Sequence, residues 1–403
     1  MTARREFASG GVMLAASFVG LSVGISSLFF YTMGIFIRPL QAEFGWSRAT
    51  LSLAVLISGV VLAGASPIIG RLVDRAGVRR VVSVSMPAFA LATFGMSFLP
   101  GNLTVYLCAF TLVCLAGAGT SPVVFTRLVA AHFKAHRGLA LGLLLSGTGV
   151  AATLAPAFFT PFIAEHGWRE GYRLLAAISI TALPIVLMGL GGEGKAARAY
   201  SAHAGTRIAK SGLFVFLRDW RFRLMFLSFF GLALAIGGLI VHFVPMLLDG
   251  GMSAATAGRT AGLIGIAVIF GRIGAGALID RIHAPFVAAA MLAAAALGCA
   301  LLAASGGTQL AGVAAVLVGL AMGAEVDLIG FLVARYLGLS AYGSAYGILY
   351  GAFVAGAAIG PFLVGLSFDV TGSYQIALIC AALLLSGAAI LLSRLGPYPL
   401  EVA

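Results

Sequence analysis

The sequence predicts an all-α membrane protein of about twelve transmembrane helices, arranged as two pseudo-symmetric six-helix bundles. Three observations carry that prediction: the apolar composition, the placement of the basic residues, and an internal repeat. The 403 residues are 61% hydrophobic and 9% charged, with a mean hydropathy of +1.08. A soluble domain carries roughly 25% charged residues, so this is no ordinary globular chain. A hydrocarbon core about 30 Å thick needs about 20 apolar residues per helical crossing. Such runs fall at 11–37, 49–70, 78–100, 103–129, 138–163, 171–191, 222–247, 255–279, 285–304, 308–334, 342–367 and 374–394. The 54 glycines are spread through these runs, where small residues let membrane helices approach closely.

The net charge of +12 suggests nucleic acid until the positions are read. Basic residues collect in alternate short loops beside apolar segments, which points to lipid and not to nucleic acid. With the N-terminus inside, the inner loops hold Arg4, Arg5, Arg71, Arg75, Arg79, Arg80, Lys134, Arg137, Arg281 and Arg335. The polar stretch 192–221 adds Lys195, Arg198, Arg207, Lys210, Arg218 and Arg221 to the same side. The outer loops hold Arg38, Arg48, Arg169, Arg173 and Arg259, diluted by Glu43, Glu165, Glu170 and Asp249. The bias predicts a multi-pass protein of the inner (plasma) membrane with both termini cytoplasmic. It also divides the chain into a bundle at 1–191, a basic cytoplasmic linker at 192–221 and a second bundle at 222–403. The first apolar run is too long for a cleavable signal core. A monomer surrounded by membrane lipid is the expected state.

The repeat supports the two halves. Residues 45–75, GWSRATLSLAVLISGVVLAGASPIIGRLVDR, align without gaps on 251–281, GMSAATAGRTAGLIGIAVIFGRIGAGALIDR, at an offset of 206 residues. Gly45, Ser47, Ala49, Thr50, Gly59, Gly70, Leu72, Asp74 and Arg75 recur as Gly251, Ser253, Ala255, Thr256, Gly265, Gly276, Leu278, Asp280 and Arg281. Parallel six-helix repeats are a transporter architecture with its site near the midplane.

Elimination isolates the ionisable residues at membrane depth. A charge there costs from about 2.5 to well over 10 kcal/mol, so each survivor is a functional candidate. Glu325 and Asp327 are the acids left within an apolar run, His242 the one histidine well inside, and Arg272 the clearest basic residue. Arg272 lies eight residues before Asp280, about 12 Å along a helix, and its counterpart in the other copy is Ser66. A guanidinium is a rigid donor fork matched to a carboxylate, which points to an anionic substrate. The alternative is an internal ion pair with Glu325 or Asp327. Those acids are two apart, hence about 200° around a helix, so they do not face one cavity together. Each is either a reversible proton site or a structural anchor. His242, beside Pro245, is either a proton carrier or a neutral histidine bonded to a neighbouring helix. Tyr31, Tyr346 and Tyr350 add phenols at similar depth; the last two share a helical face and can donate to a carboxylate or wall an apolar cavity.

Other chemistry is not supported. There is no HExxH, GxSxG or Walker loop and no metal spacing, so neither an enzyme nor an ATP-driven pump is expected, and no cofactor. Cys108, Cys114, Cys299 and Cys380 read as buried free thiols in apolar runs.

Over its whole length the chain resembles the major facilitator superfamily. GRLVDRAGVRR (Gly70 to Arg80) is similar to that superfamily's inner-loop signature, and GALIDR (Gly276 to Arg281) to its second copy. The resemblance implies gating roles for Asp74, Arg75, Asp280 and Arg281, and for Arg335 at a helix end. IFIRPLQAEFGWSRATLS (Ile35 to Ser52), HFKAHRGLALGLLLSGTGVA (His132 to Ala151) and GAEVDLIGFLVARYLGLSAYGSAYG (Gly323 to Gly347) resemble the monocarboxylate porter and oxalate:formate antiporter group. In that group an arginine of the eighth helix binds the substrate carboxylate, and Arg272 stands in the matching place. The chain departs from the animal porters at Tyr31, where they carry a lysine, and at Val268, where they carry an aspartate. It departs from the oxalate antiporters at Tyr342, Tyr346 and Tyr350, in the helix that holds their second cation. The resemblance implies a secondary transporter of small monocarboxylates by alternating access, driven by proton symport. Anion exchange, proton-linked drug efflux and a transporter-like receptor are the alternatives.

Overall fold

The computed structural model describes residues 3–133, 137–190, 218–279, 281–306, 308–337 and 342–399, and among these all regular structure is helical. Lipid offers backbone groups no partner, so a spanning segment must close its own hydrogen bonds, and the apolar runs do so as helices. Eleven segments among the described residues are long and apolar enough to cross a membrane, and Arg48–Leu62 adds a shorter apolar helix. The expected all-α, multi-pass fold is the one observed. Most of the linker 192–221 lies outside the described residues.

The chain groups into two compact units, Met1–Trp46 with Ile57–Thr206, and Ser47–Leu56 with Arg207–Ala403. The helices are α1 (Ala3–Ser22), α2 (Ile37–Phe44), α3 (Arg48–Ala76), α4 (Val78–Gly95), α5 (Leu103–Gly117), α6 (Pro122–His132), α7 (Arg137–His166) and α8 (Trp168–Gly189). Then follow α9 (Trp220–Asp249), α10 (Ala254–Ile279), α11 (Ala284–Ala304), α12 (Ala311–Leu337), α13 (Tyr342–Thr371) and α14 (Gln375–Ser393). In the first unit α1 packs on α7 and α8, and α4 packs on α5 and α8. Leu21, Val82, Met86, Phe125, Val129 and Val186 fill the space between them. In the second unit the main pairings are α9 with α13, α10 with α12, and α11 with α12 and α14.

The repeat has a local structural basis. Gly45 and Gly251 both turn the chain at positive φ, 69° and 86°, which side-chain-bearing residues rarely adopt. Two residues later Ser47 and Ser253 cap α3 and α10. Each serine Oγ accepts the N–H of the threonine three residues on, Thr50 or Thr256, at 3.2 Å. The paired hydroxyls lie 3.0 and 2.9 Å apart. The same Gly-x-Ser-x-x-Thr pattern therefore builds the same turn and cap in both places.

The first span is not one smooth helix. After α1 the chain is extended at Gly24, then runs through a π turn at Ile25–Phe29 and a 3-10 turn at Met33–Phe36 before α2. The facing segment is broken as well: a 3-10 turn at Ala118–Thr120 and an extended Ser121 separate α5 from α6, which starts at Pro122. One hydroxyl joins the two breaks. Thr120 Oγ1 donates to Gly117 O at 2.7 Å and accepts the Ile25 N–H at 3.1 Å, so the donor released by the first break stays satisfied in a buried place. Thr120→Val, nearly isosteric, strands that N–H at a cost of about 1–3 kcal/mol. We expect a lowered melting temperature in detergent. Thr181→Val, which removes only an exposed hydroxyl bonded within its own helix, should leave it unchanged. Equal melting of the two variants would contradict the bridging role.

Candidate functional site

Arg272 on α10 meets the acidic residues of α12 because those two helices cross closely. Gly323 marks the crossing: a Cβ there would stand 2.6 Å from the backbone nitrogen of Arg272. Only glycine permits that approach, and it brings the next turn of α12, with Glu325 and Asp327, level with the guanidinium. Arg272 Nε lies 3.3 Å from Asp327 Oδ2, with side-chain exposures of 16% and 44%. The contact is one of charges and not an aligned hydrogen bond. Among the described residues, Nε and Nη1 of Arg272 have no hydrogen-bond partner, and neither has the buried Oε2 of Glu325. Of the pairings left open by the sequence, the structure thus contains the one with Asp327, and it leaves part of the guanidinium fork unused.

Tyr346 and Tyr350 lie on α13, which packs against α12. Both are half-buried, and their rings stack at 5.8 Å with planes 6° apart. Phe353 extends the stack at 6.0 Å from Tyr350. The Tyr342 side chain lies outside the described residues. Tyr31 belongs to the first unit, half-buried just beyond the π turn, with its ring 5.2 Å from Phe30.

His242 belongs to a different group. It is 1% exposed, and its Nε2 lies 2.9 Å from Pro361 O and 3.2 Å from Ser52 Oγ. Its Nδ1 lies 3.5 Å from the Tyr374 hydroxyl. Its helix, α9, continues through Pro245 to Asp249 without a break. Beside it sits Arg48, which the sequence placed in an outer loop. In the structure Arg48 is 4% exposed, and its Nη1 is 2.5 Å from Asp249 Oδ2. It also bonds the Tyr374 hydroxyl. A charge brought out of water at a helix start needs such partners. The signal was available, because Arg48 corresponds to Ala254 in the other copy, the same kind of mismatch that singled out Arg272.

The expected gating residues are dispersed. Arg75 and Arg281 are exposed, while Asp280 and the side chain of Asp74 lie outside the described residues. Arg335 is exposed near the end of α12, over the rings of Phe331 and Tyr398 at 5.5 and 5.4 Å. Near it, before α11, burial lowers the His283 imidazole below its ordinary range. Cys114 and Cys299 are buried, but Cys108 and Cys380 are exposed on their apolar helices, which corrects the expectation for those two. Among the described residues no group of three or more His, Cys, Asp or Glu side chains could hold a metal ion.

Comparison with known proteins completes the picture. The family model of the Major Facilitator Superfamily matches residues 19–361. Monocarboxylate transporter 11 of Mus musculus is 27% identical over 400 residues, covering 94% of this chain and 86% of that protein. The Homo sapiens protein of the same name is 28% identical, with coverage of 95% and 81%. Among solved structures, the nucleoside transporter NupG superposes with a TM-score of 0.77 at 12% identity, covering 95% of this chain and 99% of that one. A bacterial homologue of the human lysosomal transporter Spinster gives 0.70 at 14% identity, with 97% of each chain covered. These structural likenesses speak for the fold.

Proposed function

The chain belongs to the Major Facilitator Superfamily, a membrane transporter of small molecules and not an enzyme, and we propose that its cargo is a small organic monocarboxylate. The carrying observation is Arg272, a guanidinium within a helix long and apolar enough to cross a membrane, whose contact with Asp327 leaves Nη1 without a hydrogen-bond partner among the described residues. A carboxylate matches that fork in shape and charge. The relatives named monocarboxylate transporters support the same class. Tyr346 and Tyr350 supply a flat aromatic wall with phenol donors, and Tyr31 and His242 remain candidate contacts. Drug efflux is less well supported, since a cationic drug would call for an acid and not an arginine at the site.

Charge balance favours proton symport over anion exchange. The group holds one arginine and two acids, so with both acids ionised it already carries a net negative charge. A further anion beside them, within a membrane span, is strongly disfavoured unless a proton enters with it. Glu325 is the better carrier, because its buried Oε2 has no hydrogen-bond partner among the described residues, whereas Asp327 faces Arg272. Asp327 and His242 are the other candidates. Alternating access in the inner membrane, with both termini cytoplasmic and Asp74, Arg75, Asp280, Arg281 and Arg335 in the gating apparatus, completes the proposal. The protein would act as a monomer.

Arg272→Ala should cost about 2–5 kcal/mol of carboxylate binding, the range for removing one partner of a desolvated charge pair. Arg272→Lys keeps the charge without the fork and should also bind weakly. Ligand titration in detergent on monodisperse variants measures both, and wild-type affinity in Arg272→Ala would move the anion elsewhere. Glu325→Gln should abolish proton-driven uptake while preserving counterflow of substrate. Uptake that keeps its wild-type dependence on the proton gradient would remove Glu325 from the coupling.

A further inference from the structure

Three aromatic rings stand in a row along one face of α13. Tyr346, Tyr350 and Phe353 are spaced four and three residues apart, which brings them together on one side of a helix. The Tyr346 and Tyr350 rings lie 5.8 Å apart with planes 6° from parallel, and Phe353 continues the row at 6.0 Å and 18°. All three are half-buried. The exposed apolar residues of the same helix, Leu363, Leu366 and Val370, fall roughly 130° around it, so the row and the side suited to lipid are different faces. Gly347 and Gly351 each follow one of the tyrosines. Both are exposed, and a Cβ at either would meet nothing within 4 Å. The rings are thus flanked by open space, which a packed core would have filled. The row reaches the candidate site through Glu325, whose carboxylate stands within electrostatic range of both the Arg272 guanidinium and the Tyr350 phenol. All of these residues belong to the second unit.

We propose that this row selects the body of the cargo: the carboxylate held at Arg272 is joined by a short linker to a flat aromatic ring, so the cargo is an arylalkanoic acid and not a short aliphatic one. The proposal deepens the carboxylate reading of Arg272 and rests on it. Hydrogen bonding to a carboxylate does not account for the row, because one phenol would serve and Phe353 has no donor. What the three side chains share is a ring face. Such faces prefer another ring, offset or edge-on, at centroid distances like those within the row itself. An acetate-like anion would leave these faces, and the space beside Gly347 and Gly351, unfilled. A hydroxylated body would call for more donors and acceptors than two phenols and a phenyl ring supply. The linker is short because Tyr350 and Arg272 flank the same carboxylate, that of Glu325.

The test is a matched ligand series titrated into the purified wild-type protein in detergent. Acetate carries the carboxylate alone, phenylacetate adds a flat ring, and cyclohexylacetate adds a puckered ring of similar size. Phenylacetate should bind at least about tenfold more tightly than acetate, a difference of about 1.4 kcal/mol. It should also exceed cyclohexylacetate by about two- to tenfold, the range for an aromatic pair beyond its buried area. Tyr350→Leu should remove most of that second preference, and Tyr350→Phe, which keeps the ring, should retain it. Equal binding of phenylacetate and cyclohexylacetate to the wild type would overturn the role of the row. So would a preference that survives in both Tyr350→Leu and Tyr346→Leu. Acetate binding as tightly as phenylacetate, or binding alone, would overturn it too, yet leave a carboxylate at Arg272 intact. Methyl phenylacetate binding as tightly as phenylacetate would instead remove the carboxylate reading, and this proposal with it. If Tyr350→Leu does not elute as folded protein, Tyr346→Leu is read by the same criterion, and the wild-type series stands on its own.

Discussion

A charge or backbone group withdrawn from water must be neutralised or bonded, and that constraint shapes the buried polar contacts of this chain. Water would forgive an arginine without an acid or an amide without an acceptor; lipid does not. Hence Arg272 sits opposite Asp327, Arg48 opposite Asp249, and the broken backbone at Gly24 is closed by the hydroxyl of Thr120. The helices themselves obey the same rule, since each satisfies its own ladder. Where two helices must approach more closely than side chains allow, glycine intervenes, as Gly323 does at Arg272.

The second unit answers the constraint in two ways. Around Arg48 the neutralisation is thorough: a carboxylate, a phenol and two aromatic faces enclose the guanidinium, and Asp369 accepts the backbone N–H. Around Arg272 it is partial, with one acid at 3.3 Å and fork nitrogens without hydrogen-bond partners among the described residues. A fully satisfied arginine is suited to holding structure together, and a partly satisfied one to receiving a ligand. That contrast leads us to propose binding at the Arg272 group and a structural tie at the Arg48 group.

Much of this was legible from residue order. The apolar runs marked the spans, because helix length in lipid is set by bilayer thickness. The repeat was legible down to its glycine turn and serine cap, since Gly45 and Ser47 act through local geometry that Gly251 and Ser253 reproduce. Arg272, Glu325 and Asp327 stood out by depth, but which acid met the arginine depended on the helix crossing at Gly323, a tertiary fact. Arg48 was read only as an outer-loop charge, and its burial could not be seen from its position. Its partners, Asp249 and Asp369, are about 200 and 320 residues away, beyond the reach of any local pattern. The break at Gly24 was hidden for a similar reason, as its partner Thr120 comes from another span.

The central claim is that the cargo is held by its carboxylate. Thermal unfolding of the purified wild-type protein, with a panel of small monocarboxylic acids and the methyl esters of the same acids, tests it most directly. A ligand that binds only the folded state raises the melting temperature by mass action. The account predicts that one or more of the acids raises it in a saturable way while the corresponding ester does not. A comparable rise with the neutral ester, or a response confined to uncharged or cationic compounds, would contradict it.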